Sequence, residues 1–167
     1  MVPKRVRRTY LEMTKRPVYG KIGFDEDILI MQATKPTVSF YRFLYYEVGQ
    51  PWNWVDRRKM SDEALQEIIQ NPCVQIHVIY KKGIPAGYVE LNGNVSDEIE
   101  IAYFGLMPEC IGGGLGKKFL QWSILKAWSM DVQRVWLHTC TLDHPSALLL
   151  YKRMGFVAYG SEEYEFK

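Results

Sequence analysis

Four glycines lie within the five residues from Gly112 to Gly116, directly before a run of residues with helical periodicity. Glycines leave main-chain N–H groups uncovered, so that several of them can converge on one anion at the start of a helix. The helix dipole adds partial positive charge at that end, and Lys117 and Lys118 add full charges. The arrangement favours a bound pyrophosphate, and a flexible surface turn is the alternative interpretation of the same glycines.

Two other phosphate motifs do not fit this segment. A Walker A loop ending at Gly116 and Lys117 requires Gly at position 111 and Ser or Thr at position 118, where the chain has Ile111 and Lys118. A dinucleotide fingerprint starting at either Gly112 or Gly114 requires Gly at position 117 or 119, and neither position is glycine. The segment therefore predicts neither a nucleoside triphosphate site nor a dinucleotide site.

Hydrophobic periodicity predicts the elements that must position the glycine segment. We predict strands over 5–13, 27–33, 74–80, 84–91, 99–106 and 135–140, and a final strand pair that begins at 156–160. Helices are predicted over 38–48, from the N-cap Ser61 to position 71, over 115–129 and over 146–154. The strand 99–106, the helix 115–129 and the strand 135–140 form a right-handed parallel βαβ crossover.

This order of elements predicts an α/β (α+β) fold in three layers. Its centre is a mixed, mostly antiparallel sheet of six to seven strands, and about four helices flank it. A single domain is expected to cover residues 1–167, because this length is large enough to bury one hydrophobic core.

Composition narrows the class of protein. Hydrophobic residues make up 47% and charged residues 24%, as in globular proteins, and the net charge of +2 is too small to indicate a nucleic-acid partner. Basic residues near the N-terminus fit a solvated strand edge or an RNA-binding arm: Lys4, Arg5, Arg7, Arg8 and Lys15. The three cysteines lack CxxC spacing, and no apolar run reaches the ~18 residues of a membrane helix. We expect a cytoplasmic protein without a metal site.

Two motifs together resemble the GNAT superfamily of N-acetyltransferases. The family motif Gln/Arg-x-x-Gly-x-Gly/Ala corresponds to residues 111–116, which keep both glycines and replace the leading residue by Ile111. The family motif Ala-x-x-x-Tyr-x-x-x-Gly-Phe corresponds to residues 147–156, and His144 stands where the family commonly has Asn. The resemblance covers about residues 99–160 and implies a GNAT-like acetyltransferase domain.

The resemblance also implies acetyl-coenzyme A as the cosubstrate and assigns residues to it. The pyrophosphate is expected on Gly112, Gly113, Gly114, Leu115, Gly116 and Lys117. The main-chain N–H groups near Leu106 and Met107 would hold the thioester carbonyl. Tyr151 would lie beside the cofactor sulfur and protonate the leaving thiolate, and His144 would contact coenzyme A.

The acceptor must lose a proton before it attacks, because an alkyl ammonium has a pKa of ~10.4. In the histone-modifying branch of the family the base is a Glu eleven residues before the Gln/Arg position, which implies Glu100. Glu98 lies on the same strand face, so either carboxylate could be the base while the other raises its pKa. A water chain and a merely solvated strand face are the alternatives. His77 and His138 fall inside predicted strands, where we expect them to be packed.

Aromatic residues are dense between Phe40 and Trp54. Trp52 and Trp54 follow a proline in a predicted loop, and they are the candidates for binding a cation or an apolar group of the acceptor. The sequence leaves three kinds of acceptor open: a small amine, an amino acid and a peptide N-terminus. Formation of a homodimer is also among the expectations. A non-catalytic acyl-coenzyme A-binding module is the alternative, motivated by Ile111 and His144, and an RNA-associated protein ranks last.

Overall fold

The computed structural model describes residues 4–166. Its strands are β1 (Lys4–Met13), β2 (Ile28–Gln32), β3 (Val74–Lys81), β4 (Ile84–Asn92), β5 (Glu98–Leu106), β6 (Arg134–Cys140) and β7 (Val157–Phe166). Its α-helices are α1 (Val38–Gly49), α2 (Asp62–Ile69), α3 (Leu115–Trp128) and α4 (Ala147–Arg153). Short 3₁₀ turns cover Gln50–Trp52 and Pro108–Cys110.

The strands form one sheet in the order β2-β3-β4-β5-β6-β1-β7. Neighbouring strands are antiparallel except β5 and β6, which α3 connects as a parallel pair. The predicted mixed sheet and its parallel crossover are therefore confirmed. In the part of the chain from residue 4 to residue 166, no helix is both long and apolar enough to cross a membrane.

The C-terminal segment differs from the prediction. Instead of a strand pair beginning at 156–160, β7 is one long strand that pairs with β1. One edge of β1 pairs with β6 and the other edge pairs with β7, so β7 needs no additional strand as a pairing partner. Because both of its edges are paired, β1 is an inner strand rather than the expected sheet edge. Arg7 and Arg8 of β1 form ion pairs with Glu163 (2.9 Å) and Glu162 (3.0 Å) of β7.

Side-chain oxygens begin the first two helices. Thr37 accepts from the N–H of Phe40, and Ser61 accepts from the N–H of Ala64, which satisfies donors that a helix start leaves free. Both helices pack on one face of the sheet, where the buried core includes Tyr41, Leu44, Leu65, Ile76 and Tyr88.

The other face of the sheet carries α3, and residues of α4 pack there as well. Its buried core includes Leu11, Val89, Phe119, Leu120 and Ile124. Each fully buried large apolar side chain contributes ~1.5–3 kcal/mol, so the two cores hold the helices on opposite faces as the three-layer prediction requires.

Strands β5 and β6 separate after a short common stretch. They pair only where Glu98–Glu100 face Arg134–Trp136, and beyond that point both continue without pairing to each other. On its other edge β5 has a bulge at Ala102, because Glu90 pairs with Tyr103 while Leu91 pairs with Ile101. The separation opens a gap inside the sheet. Because of the bulge, the alternation of β5 side chains between the two cores reverses after Ala102.

Candidate functional site

A cavity of about 380 Å³ occupies the gap between β5 and β6. Residues 101–106 of β5 line it on one side, and Leu137, His138 and Cys140 of β6 line it on the other. We call the lining contributed by the glycine segment and α4 the cofactor wall, and the lining contributed by residues 52–56 the acceptor wall. Three of the regions that the sequence marked for chemistry therefore meet at one cavity.

The glycine segment is open to solvent at the start of α3. Gly112 and Gly114 have positive φ angles of 101° and 77°, which favour glycine, and a Cβ built on Gly112, Gly113 or Gly114 meets nothing within 4 Å. Gly114 is the N-cap of α3 and makes no side-chain cap bond, so the first N–H groups of the helix lack capping partners. Such a helix start can receive an anion.

The cavity does not use every residue of the segment. Gly112, Gly114, Gly116 and Lys117 line it, together with Ile111, which is 40% exposed. Gly113 and Leu115 lie outside the lining. The lining at this segment thus consists of three glycines, one lysine and the apolar Ile111, which stands where the family motif has Gln or Arg.

Tyr151 and His144 both line the cavity. The Tyr151 ring packs edge-on against Phe156 (6.2 Å between centroids), and burial, with a further contribution from Asp143, raises the pKa of Tyr151 well above its usual range. The phenol is therefore neutral at physiological pH and able to donate a proton. His144 Nδ1 lies 2.7 Å from Ser146 Oγ, which orients the imidazole.

The two tryptophans of the acceptor wall occupy different positions. The Trp52 ring lies edge-on to His144 (5.1 Å between centroids). Trp54 packs on Tyr103 and Tyr45, with centroid distances of 5.1 and 5.5 Å, and its indole N–H donates to Asp143 Oδ1 at 3.4 Å. Trp54 is therefore held in the wall, whereas Trp52 contacts His144, which lies three residues before α4.

Asp143 links the end of β6 to the acceptor wall. Its Oδ2 accepts from Thr139 Oγ1 (2.7 Å) and from the N–H of Cys140 (2.8 Å), while its Oδ1 accepts from Trp54. Thr139 and Cys140 lie close to Asp143 in the chain, whereas Trp54 lies 89 residues away, so only the fold connects Asp143 to the acceptor wall.

The candidate bases from β5 lie away from the cavity lining. Glu98 forms an ion pair with Arg134 at 2.9 Å, and the same guanidinium contacts Glu12 at 2.6 Å. Burial raises the pKa of Glu100, and the nearby carboxylates Glu90 and Glu98 raise it further. Glu100 thus has the raised pKa of a candidate base, but it does not line the cavity.

The main-chain donors expected at the end of β5 differ in availability. Leu106 lines the cavity. The N–H of Met107 donates to the carbonyl of Ala86 at 2.9 Å, and the Met107 side chain packs in the core beneath α1. The sheet already uses the Met107 donor, because β4 continues alongside this end of β5.

His138 is a cavity residue that the sequence reasoning assigned to packing. It remains solvent-accessible within the cavity, with its ring edge-on to Tyr10 at 5.9 Å. Desolvation by the walls lowers the pKa of His138, and Arg8 lowers it further, while Asp143, Asp56 and Glu162 oppose them. Side chains alternate along β6, so His138 lies on the other face of the strand from the buried Leu137. His138 borders a cavity only because β5 and β6 separate.

The packing prediction is confirmed for His77. This residue is 4% exposed and contacts Trp122 edge-on at 5.1 Å, and burial lowers its pKa to about 4. Cys140 lines the cavity, where burial raises its pKa, so its thiol is protonated at neutral pH. Within residues 4–166, no group of three or more His, Cys, Asp or Glu side chains is arranged to hold a metal ion.

The site thus combines a gap between two splayed parallel strands with a glycine-capped helix start at the edge of that gap. The model of the Acetyltransferase (GNAT) family matches residues 40–156. The chain belongs to this family, and the fold and the resemblance predicted from the sequence are confirmed.

The individual proteins that resemble this chain share only a minority of its residues. A protein of Bacillus subtilis (strain 168), provisionally named (ribosomal protein bS18)-alanine N-acetyltransferase, is 30% identical over 95 residues. That match covers 57% of this chain and 62% of the relative, so the chain spans less than two thirds of the relative's length.

Two solved structures show the same fold at low identity. A GCN5-related N-acetyltransferase from Sphaerobacter thermophilus superposes with a TM-score of 0.70 at 16% identity, over 98% of this chain and 53% of that one. An aminoglycoside acetyltransferase from an uncultured soil metagenomic sample, solved with trehalose, superposes with a TM-score of 0.63 at 13% identity. That superposition covers 78% of this chain and 89% of the other. At these identities the likeness concerns the fold alone.

Proposed function

We propose that this protein is an N-acetyltransferase that moves an acetyl group from acetyl-coenzyme A to a primary amine by direct attack in a ternary complex. One observation carries the proposal: the open glycine segment, Tyr151 and His138 line the same cavity as the aromatic acceptor wall. The one seven-stranded sheet supports a single GNAT-like domain. A cytoplasmic location and a homodimer stay predictions.

The cofactor wall fits a pyrophosphate-bearing cofactor. Gly112, Gly114 and Gly116 would present main-chain N–H groups to the diphosphate, and Lys117 would add charge. Replacement of Gln or Arg by Ile111 leaves this cradle intact, because the donors are main-chain groups. Acetyl-coenzyme A, when bound, supplies the thioester whose acetyl carbon the amine attacks.

Tyr151 is the proposed proton donor. A tyrosine phenol with its usual pKa of ~10 is already protonated at neutral pH, and burial of Tyr151 raises this pKa further, so a hydroxyl proton is present for a departing thiolate. Leu106 lies in the lining at the end of β5, where a main-chain donor would face the thioester carbonyl. Met107 is left out of this role, because its N–H is engaged by Ala86.

His138 is the proposed proton acceptor. It faces the cavity from β6, and its lowered pKa leaves the imidazole neutral at physiological pH, ready to take a proton from the acceptor ammonium. Glu100 would require a connecting water, because it lies outside the lining. The direct route through His138 is therefore the one that the geometry supports.

The acceptor wall fits a protonated amine. Trp52 and Trp54 present aromatic rings, and Asp56 adds a carboxylate to the same lining. Rings and carboxylates attract an ammonium group, so the acceptor is expected to enter as a cation and to lose its proton inside the cavity. Small amines, amino acids and peptides all carry this group. The name of the Bacillus relative adds a peptide that begins with alanine to the candidates.

Release of free coenzyme A over a panel of amines, amino acids and Ala-initiated peptides tests the proposal. At least one acceptor is expected to give turnover above the rate of thioester hydrolysis. Calorimetry with acetyl-coenzyme A separates the remaining possibilities. Saturable binding without turnover for any acceptor would favour the non-catalytic binding module, and no saturable binding would remove both interpretations.

A further inference from the structure

Arg57 lies directly after the acceptor wall and reaches back into the core. Its Nη2 contacts Glu90 Oε1 at 2.7 Å, and the exposed fractions of the two side chains are 11% and 0%. The hydroxyl of Tyr41, on α1, donates to the other oxygen of the same carboxylate. Glu90 is therefore a buried charge with two partners, and one of them belongs to the loop that follows the acceptor wall.

The main chain of Arg57 is held as well. Its N–H donates to the hydroxyl of Tyr45 at 3.3 Å, and its carbonyl accepts from Arg42 Nη1 at 3.2 Å. The guanidinium also lies over the ring of Tyr103, 5.3 Å from the centroid. Contacts with α1, β4 and β5 thus converge on this one residue.

The segment before Arg57 has little regular structure of its own. The 3₁₀ turn ends at Trp52, Asn53 adopts a left-handed conformation with φ 58°, and α2 begins only at Asp62. Main-chain bonds hold the segment only in short turns, such as those from the N–H of Trp54 to the carbonyl of Gly49 (3.1 Å) and from the N–H of Arg58 to the carbonyl of Val55 (3.1 Å), so its position also depends on side-chain contacts. The buried pair is such a contact, and Trp54 supplies another through Tyr45, Tyr103 and Asp143.

Stability alone is a poor explanation for the pair. The desolvation cost of two buried charges offsets much of their attraction, and well-packed apolar residues often replace such pairs without loss of stability. An ion pair with defined geometry does specify where its partners lie. Because Glu90 is fixed in an inner strand of the sheet, the pair determines the position of Arg57 and of the wall that precedes it.

We propose that Arg57 is a positioning residue for the acceptor: its buried ion pair with Glu90 fixes the segment Trp52–Asp56 against the cavity and thereby sets acceptor affinity. The effect on the acceptor rests on the proposed acetyltransferase function, whereas the anchoring of the segment does not. Arg57 acts through the wall, since it does not line the cavity itself.

The test uses the double variant Arg57→Met/Glu90→Gln. The glutamine amide can still accept from Tyr41, and no unpaired charge is left in the core. The matched control is Arg58→Met, which removes a neighbouring guanidinium that is exposed and lies over the ring of Tyr46 at 4.8 Å. Arg57→Lys keeps a charge beside Glu90 but loses the planar contact with Tyr103, and it provides a second variant with minimal disturbance.

Hydrogen exchange of residues 52–58, acetyl-coenzyme A affinity and acceptor KM are measured on each variant. In the double variant we expect faster exchange of the segment and unchanged cofactor affinity. Acceptor KM should rise by roughly 10- to 100-fold, because a displaced binding wall misplaces the acceptor. Arg57→Lys is expected to fall between the double variant and the wild type, and Arg58→Met to match the wild type.

Unchanged exchange and unchanged KM in the double variant would overturn the proposal, as would a loss confined to cofactor binding. Failure of the proposed function has a different signature, because the wild type itself would then turn over no acceptor. Exchange of the segment would still decide whether Arg57 anchors it.

Discussion

The indole of Trp54 lies directly on the α-carbon of Gly49. A Cβ built on Gly49 would approach three atoms of Trp54, each closer than 3.0 Å, which real Cβ atoms essentially never do. Gly49 has an ordinary helical backbone with φ −94°, so its conformation does not require glycine. The last residue of α1 therefore has to be glycine because a side chain there would occupy the space of Trp54 in the acceptor wall.

Gly49→Ala is expected to destabilise the protein and to weaken acceptor binding. The gain in helix propensity of at most ~1 kcal/mol is smaller than the cost of overpacking, ~1–3 kcal/mol. Urea unfolding measures the stability, and acceptor KM measures the displacement of Trp54. Gly20→Ala is the control, because a Cβ there meets nothing within 4 Å. Equal stability of the two variants would contradict the steric argument.

His138→Gln is expected to lower kcat/KM by ~10²- to 10⁴-fold, the usual contribution of a positioned proton acceptor. Acetyl-coenzyme A affinity should not change, since the change is on the strand opposite the glycine segment. His77→Gln serves as the control because His77 is buried away from the cavity. Full activity of the His138 variant would remove the residue from the mechanism and return the role to Glu100 acting through water.

The same histidine predicts a pH dependence. Its pKa is lowered from the usual ~6.5, and the neutral imidazole is the active form. Titration of His138 should therefore not change wild-type activity near neutral pH. Activity should fall as the pH decreases through the lowered pKa of His138, because the imidazole then becomes protonated. The His138→Gln variant should lack that acidic limb and keep the limb at higher pH that belongs to the acceptor amine. An unchanged acidic limb in the variant would assign it to another group.

Tyr151→Phe is expected to reduce kcat while leaving acetyl-coenzyme A affinity unchanged, because the ring still packs on Phe156 and only the proton donor is lost. A reduction of ~10²-fold or more corresponds to loss of general acid catalysis. Tyr159→Phe on β7 is the matched control, since that side chain is exposed and lies outside the cavity lining. Single-turnover kinetics separates the chemical step from product release. An undiminished rate would exclude the acid role.

Gly116→Ala is expected to change stability and cofactor affinity in opposite directions. Gly116 is the second residue of α3, where alanine stabilises a helix by up to ~1 kcal/mol, and its Cβ would lie at an ordinary 3.5 Å from Leu106. The added methyl group would crowd the anion cradle, and one lost charge-assisted hydrogen bond of ~1.5–3 kcal/mol weakens affinity roughly 10- to 100-fold.

Thermal unfolding and calorimetry with acetyl-coenzyme A measure the two effects of Gly116→Ala. Gly113→Ala is the matched control, because Gly113 lies outside the lining and a Cβ there has open space. It should leave both quantities near their wild-type values. Wild-type affinity in the Gly116 variant would mean that the pyrophosphate does not rest on this helix start.

Local patterns in the sequence are sufficient to predict most of the helices and strands and the glycine segment, although not the single strand β7. Ser61 as N-cap, the helix predicted over 115–129 and the strands predicted over 74–80 and 84–91 depend on neighbours a few residues away, and each agrees with the structure. The glycine segment is likewise local, because one loop and one helix start make the whole cradle. Residues close in the chain determine these features, so one sequence is enough to find them.

The partners in the rest of the site lie far apart in the chain, and only the tertiary structure decided them. Whether a strand residue faces a cavity or a neighbouring strand depends on where β5 and β6 separate, which exposes His138 and leaves Glu100 outside the lining. The pairing of β4 with β5 engages the Met107 donor, and the fold brings Arg57 to Glu90. The sequence by itself therefore determined the family and the position of the glycine segment, whereas long-range packing decided which strand residues line the cavity and which partner Arg57 has.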